Sequence, residues 1–378
     1  MYSVLDFGHM AACGARMDAY ARAIARTVKP NSVVLDIGAG TGILSLLAAR
    51  AGARKVHAVD PNPAIWLLPE LAAENGLADR IEIHPISSFD LELAERADVV
   101  VSDLRGSLPF HGDHLAVLRD AKTRLLAEGG VLIPARDRLY VALVEAQELA
   151  ATLTRGVEGF AHYGFRASAV ANSIANSPSS DWRVELRAND LLSTAEEWTM
   201  VDYGTAAGGA EGNVELATRR CGLARGLAVW FKASIHGDLG FETAPGTSLV
   251  YSRYFFPLLR PVALEEGDVA RVLLRVDERG ERWAWETRIL NARGEEKASF
   301  RQSTFFGTPT SPDALLRAST SFTPATSAKG HRLRRILDLM DGQRSVEEIA
   351  AEVCAADPRL RPETVLDEVR DAVSRYVD

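Results

Sequence analysis

The chain has little cysteine, no long apolar run and no excess of positive charge. Its 378 residues include three cysteines, and because Cys13, Cys221 and Cys354 lie far apart they indicate neither a disulfide framework nor a thiolate metal site. A net charge of −8 argues against a general nucleic-acid or anionic-membrane partner. No segment holds about 18 consecutive apolar residues, and the N-terminus lacks the pattern of a signal peptide. We therefore expect a protein of the reduced cytoplasm.

The strongest local signal is a glycine-rich segment that follows an apolar strand, Val33 to Ile37. Its spacing is Asp-x-Gly-x-Gly-x-Gly, formed by Asp36, Gly38, Gly40 and Gly42. Glycines allow dihedral angles and close backbone approach that a Cβ atom would forbid. The next apolar run ends on an acidic residue, Asp60, and a carboxylate in that position typically binds ribose hydroxyls. The segment therefore predicts a site for a nucleoside-containing cofactor.

The glycine spacing separates two kinds of nucleoside cofactor. A dinucleotide site favours Gly-x-Gly-x-x-Gly, in which the last glycine packs the helix against the sheet. Here the glycines alternate and Thr41 to Ser45 follows, a pattern that resembles class I S-adenosylmethionine-dependent methyltransferases. The resemblance implies S-adenosylmethionine as cofactor and S-adenosylhomocysteine as product. A dehydrogenase and a purely structural turn are the alternatives.

Strands and helices alternate from residue 33 to about 134, which predicts a doubly wound, Rossmann-like α/β unit. The predicted strands are 33–37, 56–60, 81–84, 98–102 and 131–133. Right-handed crossovers place the ends of the first, second and fourth strands on one rim, so the glycine loop, Asp60 and Asp103 should converge. Ser87 and Ser88 follow the third strand, and we expect them beside the base of the nucleoside. A polar turn is the equal alternative for these two serines.

The character of the chain changes after Pro134. Seven β-rich runs, the first at 183–187, are separated by turn signals and predict an antiparallel sandwich or barrel. Its core or rim should hold Trp230, Trp283 and Trp285.

The last part of the chain is predicted to be helical. The stretch 307–327 is rich in Thr, Ser, Pro and Ala and is typical of a linker. Three amphipathic segments follow, and Ser345 with Glu348 forms the pattern of a capping box. The predicted domains are a cofactor domain, a β-rich substrate or dimerisation domain, the linker and a small helical domain, at 1–134, 135–306, 307–327 and 328–378.

The order of parts over 1–306 resembles the protein arginine methyltransferases. The segment from Met10 to Ile24 is similar to that family's cofactor-covering helix. The resemblance implies that Met10 packs near the sulfonium and that Arg16 pairs with the carboxylate of the cofactor. It also implies a homodimer, for which residues 150–180 are the candidate arm.

Departures from this family concern the methyl acceptor. The arginine enzymes hold a guanidinium between two glutamates, because a planar fork of donors needs two carboxylates to orient it. Here the first position is Asp103 and the second falls on Gly112, whose neighbour Asp113 is the candidate substitute for the second carboxylate. We therefore expect Asp103 to position an amine or accept its proton. His111 and His114 on the same loop are candidate bases, and ordinary surface histidines are the alternative.

The segment from Ile336 to Ala350 resembles the helical part of PqqD-like domains, which bind leader peptides in ribosomal peptide natural-product pathways. The three strands that usually precede these helices are not evident, and a helical cap or dimer element is the alternative. The function predicted is methylation of a peptide or protein amine, with daptide-like dimethylation of a terminal amine as the specific case. The alternatives are a small-molecule or carboxyl O-methyltransferase, an arginine methyltransferase with a modified clamp, and a non-catalytic binding protein.

Overall fold

The computed structural model describes residues 2–180, 185–205, 208–357 and 359–377. The chain forms two compact units, Met1–Pro309 and Thr310–Asp378. The predicted boundary at 134 therefore lies inside the first unit, where it marks the change from a parallel sheet to antiparallel sheets.

Two helices precede the first sheet, α1 (Val4–Ala11) and α2 (Gly14–Thr27). Helix α1 begins with a capping box between Ser3 and Asp6, in which each side chain bonds the other residue's backbone N–H. One face of helix α2 packs against the rest of the first unit. It places Ala19, Tyr20, Ala23 and Ile24 in the core. The predicted covering segment is thus two helices separated by Ala12 and Cys13.

The parallel sheet confirms the Rossmann-like prediction. Its five strands run in the order β3-β2-β1-β4-β5 and are β1 (Val33–Ile37), β2 (Lys55–Val59), β3 (Ile81–His84), β4 (Ala97–Ser102) and β5 (Leu126–Ile133). The helices that connect or flank them include α3 (Ile43–Arg50), α4 (Leu68–Glu74) and α5 (His114–Asp120). All five residues of β1 are buried, because helices cover both faces of a sheet of this kind. This burial on both faces explains why β1 is almost continuously apolar in the sequence.

Two antiparallel sheets follow and confirm the β-rich second half of the first unit. One has the order β10-β9-β6-β7 with β11 paired to β9, and the other has the order β14-β13-β12-β8. Their strands are β6 (Arg136–Val144), β7 (Glu196–Asp202), β8 (Ala210–Ala217), β9 (Gly222–His236), β10 (Leu239–Glu242), β11 (Tyr254–Leu264), β12 (Val269–Val276), β13 (Trp283–Leu290) and β14 (Glu296–Ser303). Trp230, Trp283 and Trp285 are buried as predicted.

The helices of this half of the unit include α6 (Gln147–His162), α7 (Ser168–Ala175) and α8 (Thr304–Gly307). Of the β-rich run predicted at 183–187, residues 183 and 184 lie outside the described part of the chain. Residues 185–187 are not a strand, so the prediction is wrong for them.

The second unit contains α9 (Pro312–Arg317), α10 (Ala328–Leu339), α11 (Val346–Ala356) and α12 (Pro362–Tyr376). Helix α9 lies within the stretch predicted as a linker. The last three helices share one apolar core around Ile336, Val353 and Val369. Ser345 and Glu348 form the predicted capping box of α11. The described residues of this unit include no strand, so the three strands that usually precede PqqD-like helices are not found among them. The resemblance to PqqD-like domains stays a prediction.

Candidate functional site

A cavity of about 1090 Å³ opens at the carboxyl ends of the parallel strands. Loops after β1, β2 and β4 contribute Gly38, Asp60 and Asp103 to its wall, as the topology predicts. The N-terminal helices and the loop before α5 contribute four further predicted site residues, Met10, Arg16, His111 and Asp113. The cavity therefore brings together residues that are far apart in the sequence.

The glycine loop is shaped by its neighbours as much as by its own sequence. Gly40 has a φ of +55°, and a Cβ atom there would clash with the ring of Phe7 on α1. The Gly40 N–H donates to Asp60 Oδ2 at 2.7 Å, and the Asn62 N–H donates to Asp60 Oδ1 at 2.7 Å. Asp60 therefore fixes the loop while it also borders the cavity.

Asp36 lies beneath the loop and does not line the cavity. Its Oδ2 accepts a hydrogen bond from Ser45 Oγ at 2.7 Å, which ties the end of β1 to α3. Burial raises the pKa of Asp36 to about 7, against the effect of the Ser45 hydrogen bonds. Its visible role is to hold the strand and helix on either side of the glycine turn.

Four other predicted cofactor contacts are also not among the residues that line the cavity, Gly40, Gly42, Ser87 and Ser88. The Ser88 carbonyl accepts from Arg124 at 2.9 Å, and Ser87 Oγ accepts from the Phe89 N–H at 3.3 Å. Contact between the serines and the base of a nucleoside stays a prediction.

Asp103 is enclosed by cationic and hydroxyl groups. Its Oδ2 accepts from Arg16 Nε at 2.5 Å and from Tyr251 Oη at 2.5 Å, while Arg105 Nε lies 3.1 Å from Oδ1. Burial acts to raise the pKa of Asp103, but Arg16 and Arg105 outweigh it and the pKa lies below its ordinary value. Asp103 is therefore a carboxylate whose oxygens face two guanidinium groups.

Arg16 spans the covering helices and the loop after β4. Besides Asp103, it donates to the Met10 carbonyl through Nη1 at 3.0 Å and to Tyr251 Oη through Nε at 3.1 Å. Arg16, which is predicted to bind the carboxylate of the cofactor, thus borders the cavity. It is paired, however, with Asp103, the residue predicted to position the methyl acceptor.

A second buried network lies behind Asp103. Arg105 Nη1 donates to both oxygens of Asp137 at 2.7 and 3.0 Å, and Arg105 Nη2 donates to Tyr20 Oη at 2.7 Å. Tyr203 Oη donates to Asp137 Oδ2 at 2.7 Å. Burial acts to lower the pKa of Arg105, but Asp137 and its other neighbours raise it well above the ordinary value. This network joins α2, the loop after β4 and the antiparallel sheets.

The two candidate bases on this loop, His111 and His114, and the candidate clamp residue Asp113 have different surroundings. His111 is exposed and borders the cavity. Asp113 is also exposed and forms an ion pair with Arg279 at 3.1 Å. His114 is buried against Tyr203, with ring centroids 5.1 Å apart, so the alternative of an ordinary surface histidine is wrong for His114.

His114 should make the protein sensitive to acid. Burial and the nearby Arg105 lower its pKa to about 3. Because the unfolded chain binds this proton more readily, stability is present above the unfolded pKa near 6.5 and is lost as the pH falls toward 3. At pH 5 we expect a loss of roughly 2 kcal/mol in the free energy of unfolding from this group. His114→Gln should flatten the profile between pH 6.5 and 4 in denaturant titrations, and an unchanged slope would contradict this assignment.

Tyr251, Arg105 and Asp137 were not predicted as site residues. Arg105 and Asp137 are charged residues in or beside apolar strands, which is the one signal available in the sequence. Arg105 and Asp137 are 32 residues apart, and Tyr251 lies 148 residues from Asp103 and 235 from Arg16, so no local pattern identifies these pairs.

Comparison with known proteins agrees with this architecture. The family described as ribosomal protein L11 methyltransferase (PrmA) matches residues 19–133. Protein arginine N-methyltransferase 6 of Danio rerio is 41% identical over 112 residues, which are 30% of this chain and 32% of that protein. Protein arginine N-methyltransferase 1 of Schizosaccharomyces pombe is 28% identical over 230 residues, which are 59% of this chain and 65% of that protein. The similarity thus spans about a third to two thirds of these relatives.

Two solved structures share the fold. Arabidopsis thaliana protein arginine methyltransferase 10 has a TM-score of 0.70 at 20% identity, and the match covers 80% of this chain and 97% of the other. The PRMT1 enzyme-prozyme heterotetrameric complex with AdoHcy of Trypanosoma brucei has a TM-score of 0.67 at 20% identity and covers 78% and 97%. The first unit therefore has the fold of these enzymes. Within the described residues, no helix is long and apolar enough to cross a membrane.

Proposed function

We propose that this chain is an S-adenosylmethionine-dependent methyltransferase that methylates an amine of a peptide or protein. The observation that carries the proposal is the cavity in which the glycine loop, Asp60 and Asp103 converge. The match of residues 19–133 to a methyltransferase family supports the same activity. The relatives named as protein arginine methyltransferases support a protein or peptide acceptor.

The residues around the cavity fit the cofactor. Asp60 supplies a carboxylate for ribose hydroxyls, and Gly38, Ala39 and Thr41 of the glycine loop line the cavity beside it. Arg16 supplies a cation for the cofactor's carboxylate, and Met10 lines the same space. The cofactor, when bound, supplies an electrophilic methyl group.

Arg16 and Asp103 form an ion pair, and both of their proposed roles require them to change partners. We propose that the carboxylate of the cofactor draws Arg16 away from Asp103. Asp103 would keep Tyr251 and Arg105 as neighbours and would present its freed oxygen to the acceptor amine. This exchange would couple cofactor binding to the formation of the acceptor site.

A single free carboxylate favours an amine over a guanidinium. The second position of the guanidinium clamp is Gly112, and Asp113 is paired with Arg279 at 3.1 Å. Because Arg105 and Tyr251 stay beside Asp103 and both favour its charged form, this carboxylate is better suited to hold an ammonium than to take up the proton of the amine. The exposed His111 is the proposed route by which the proton leaves for solvent.

We also propose how the substrate is delivered and how the chains assemble. The helical second unit would bind a leader peptide, and daptide-like dimethylation of a terminal amine is the specific case. Helices α6 and α7 would form the arm of a homodimer, since this segment exposes Phe160, Tyr163 and Phe165.

Labelled cofactor and a library of peptides, proteins, phenols and carboxylates test the acceptor class. We expect label on peptides or proteins, at an amine when located by mass spectrometry. Label on phenols or carboxylates alone would favour an O-methyltransferase, and label on a guanidinium would favour a clamp made by Asp103 and Asp113. Calorimetry with S-adenosylmethionine tests the non-catalytic alternative, because an intact protein that does not bind it would exclude every one of these activities.

Asp60→Ala should weaken cofactor binding by about 1.5–3 kcal/mol, the value of hydrogen bonds to a charged group. The variant loses a proposed ribose contact and the acceptor for the Gly40 N–H. Calorimetry measures the change, and Glu74→Ala, an exposed acid on α4, is the matched control. Normal affinity in Asp60→Ala would show that the ribose lies elsewhere.

A further inference from the structure

Two histidines and a glutamate lie together on strands β2 and β3, and none of them lines the cavity. His57 on β2 is paired in register with Glu82 on β3, and His84 follows Glu82 by two residues. Because side chains alternate between the faces of a strand, these three side chains share one face. The two imidazoles are half-buried at this position, while Glu82 is more exposed.

The three side chains converge on one point. His57 Nδ1 lies 3.0 Å from His84 Nε2. The glutamate oxygens lie 3.7 Å from His57 Nδ1 and 3.8 Å from His84 Nε2. Zinc bonds of about 2.0–2.1 Å at tetrahedral angles would place ligand atoms about 3.3 Å apart. Small side-chain rotations therefore suffice to convert this cluster into a three-ligand set.

We propose that His57, Glu82 and His84 bind a divalent transition-metal cation of the zinc class. Two imidazole nitrogens and one carboxylate are a ligand set that such cations prefer, and water would complete the coordination. Burial lowers the pKa of both imidazoles, which keeps them neutral and their lone pairs available at neutral pH.

Lys55 competes with a metal cation for the carboxylate of Glu82. Its Nζ lies 2.7 Å from Glu82 Oε2, and it lies on the same face of β2, two residues before His57. The ammonium neutralises the carboxylate that would otherwise attract a cation. Removing Lys55 should therefore strengthen metal binding, a result that a purely structural contact between the histidines does not predict.

The cluster is connected to the loop that holds Asp60. The Asp60 N–H donates to the carbonyl of His84 at 3.2 Å, and Asp60 in turn accepts from the Gly40 N–H. A cation that joins β3 to β2 would thus stabilise the strand ends that support the glycine loop. The proposal does not depend on which acceptor the enzyme methylates, because its test measures metal binding.

The test is a titration of metal-free, full-length protein with Zn²⁺ in competition with a chromophoric chelator. We expect one saturable site, weakened at least about tenfold by His57→Asn and by His84→Asn, since even supporting residues of metal sites have effects of that size. Lys55→Met should bind Zn²⁺ more tightly than the unaltered chain. His162→Asn, which removes an exposed histidine on α6, should leave the affinity unchanged and controls for adventitious binding.

Thermal unfolding with and without Zn²⁺ gives a second readout. At equal Zn²⁺ concentration, the unfolding midpoint should rise more in the unaltered chain and in Lys55→Met than in the two asparagine variants. The midpoints without metal show whether each variant is folded. Absence of saturable binding, or binding that His57→Asn and His84→Asn leave intact, would overturn the proposal and leave a hydrogen bond between the two imidazoles.

Discussion

Asp137→Ala should lower the free energy of unfolding of the first unit by about 3–5 kcal/mol, because removing one partner of a buried ion pair deprives the other charge of its main compensation. Both side chains of the Arg105–Asp137 pair are 0% exposed. Among the described residues, the substitution would leave Arg105 paired with Asp103 alone, whose Oδ1 lies 3.1 Å from Arg105 Nε. It would also leave Tyr203 Oη without the acceptor that it has in the structure.

Tryptophan fluorescence during urea denaturation measures this loss in the first unit. The six tryptophans of the chain all precede residue 310, so unfolding of the helical unit does not contribute directly to the signal. Glu197→Gln is the matched control, since Glu197 pairs with Arg138 at 3.4 Å on the surface. An exposed pair of this kind is worth about 0–1 kcal/mol. Equal losses in the two variants would contradict the importance assigned to the buried network.

Strands β1 and β11 show how much of the fold could be predicted from the sequence. Strand β1 is predicted at its exact bounds, because burial on both faces requires an uninterrupted apolar run between turn residues. Strand β11 begins at Tyr254 rather than near Leu249. The preceding residues instead bond to other elements, as Arg253 Nε does to the Thr243 carbonyl at 2.8 Å. An apolar and aromatic run predicts a strand there, but the positions of its partners determine where pairing begins.

The start of helix α1 could be predicted from the sequence, whereas the partners of the site residues could not. Ser3 and Asp6 have the spacing of a capping box, which marks the start of a helix. The partners of Arg16 could not be predicted in this way, because its guanidinium donates to a carboxylate, a hydroxyl and a backbone carbonyl. Two of these groups are 87 and 235 residues away in the sequence. Choosing among such acceptors depends on tertiary packing rather than on any local pattern.

Asp103→Asn should reduce methyl transfer to an identified amine acceptor by at least about 100-fold, the scale expected when a reacting group loses its positioning contact. In the proposed exchange, Asp103 holds the acceptor after Arg16 has turned to the cofactor. The amide lacks the charge needed to attract an ammonium, and it also no longer holds Arg16 as an ion pair. We therefore expect the affinity for S-adenosylmethionine to be unchanged or higher while the rate collapses.

Steady-state kinetics and calorimetry on the same preparation measure these two effects, and fluorescence-detected unfolding shows that the variant is folded. Asp113→Asn is the matched control, because Asp113 is on the same loop but its side chain is 55% exposed and pairs with Arg279. If Asp103 alone holds an amine acceptor, Asp103→Asn should lose activity and Asp113→Asn should not. Comparable losses in both variants would instead indicate a two-carboxylate clamp and a guanidinium acceptor. Full activity in Asp103→Asn would exclude Asp103 as the residue that positions the acceptor.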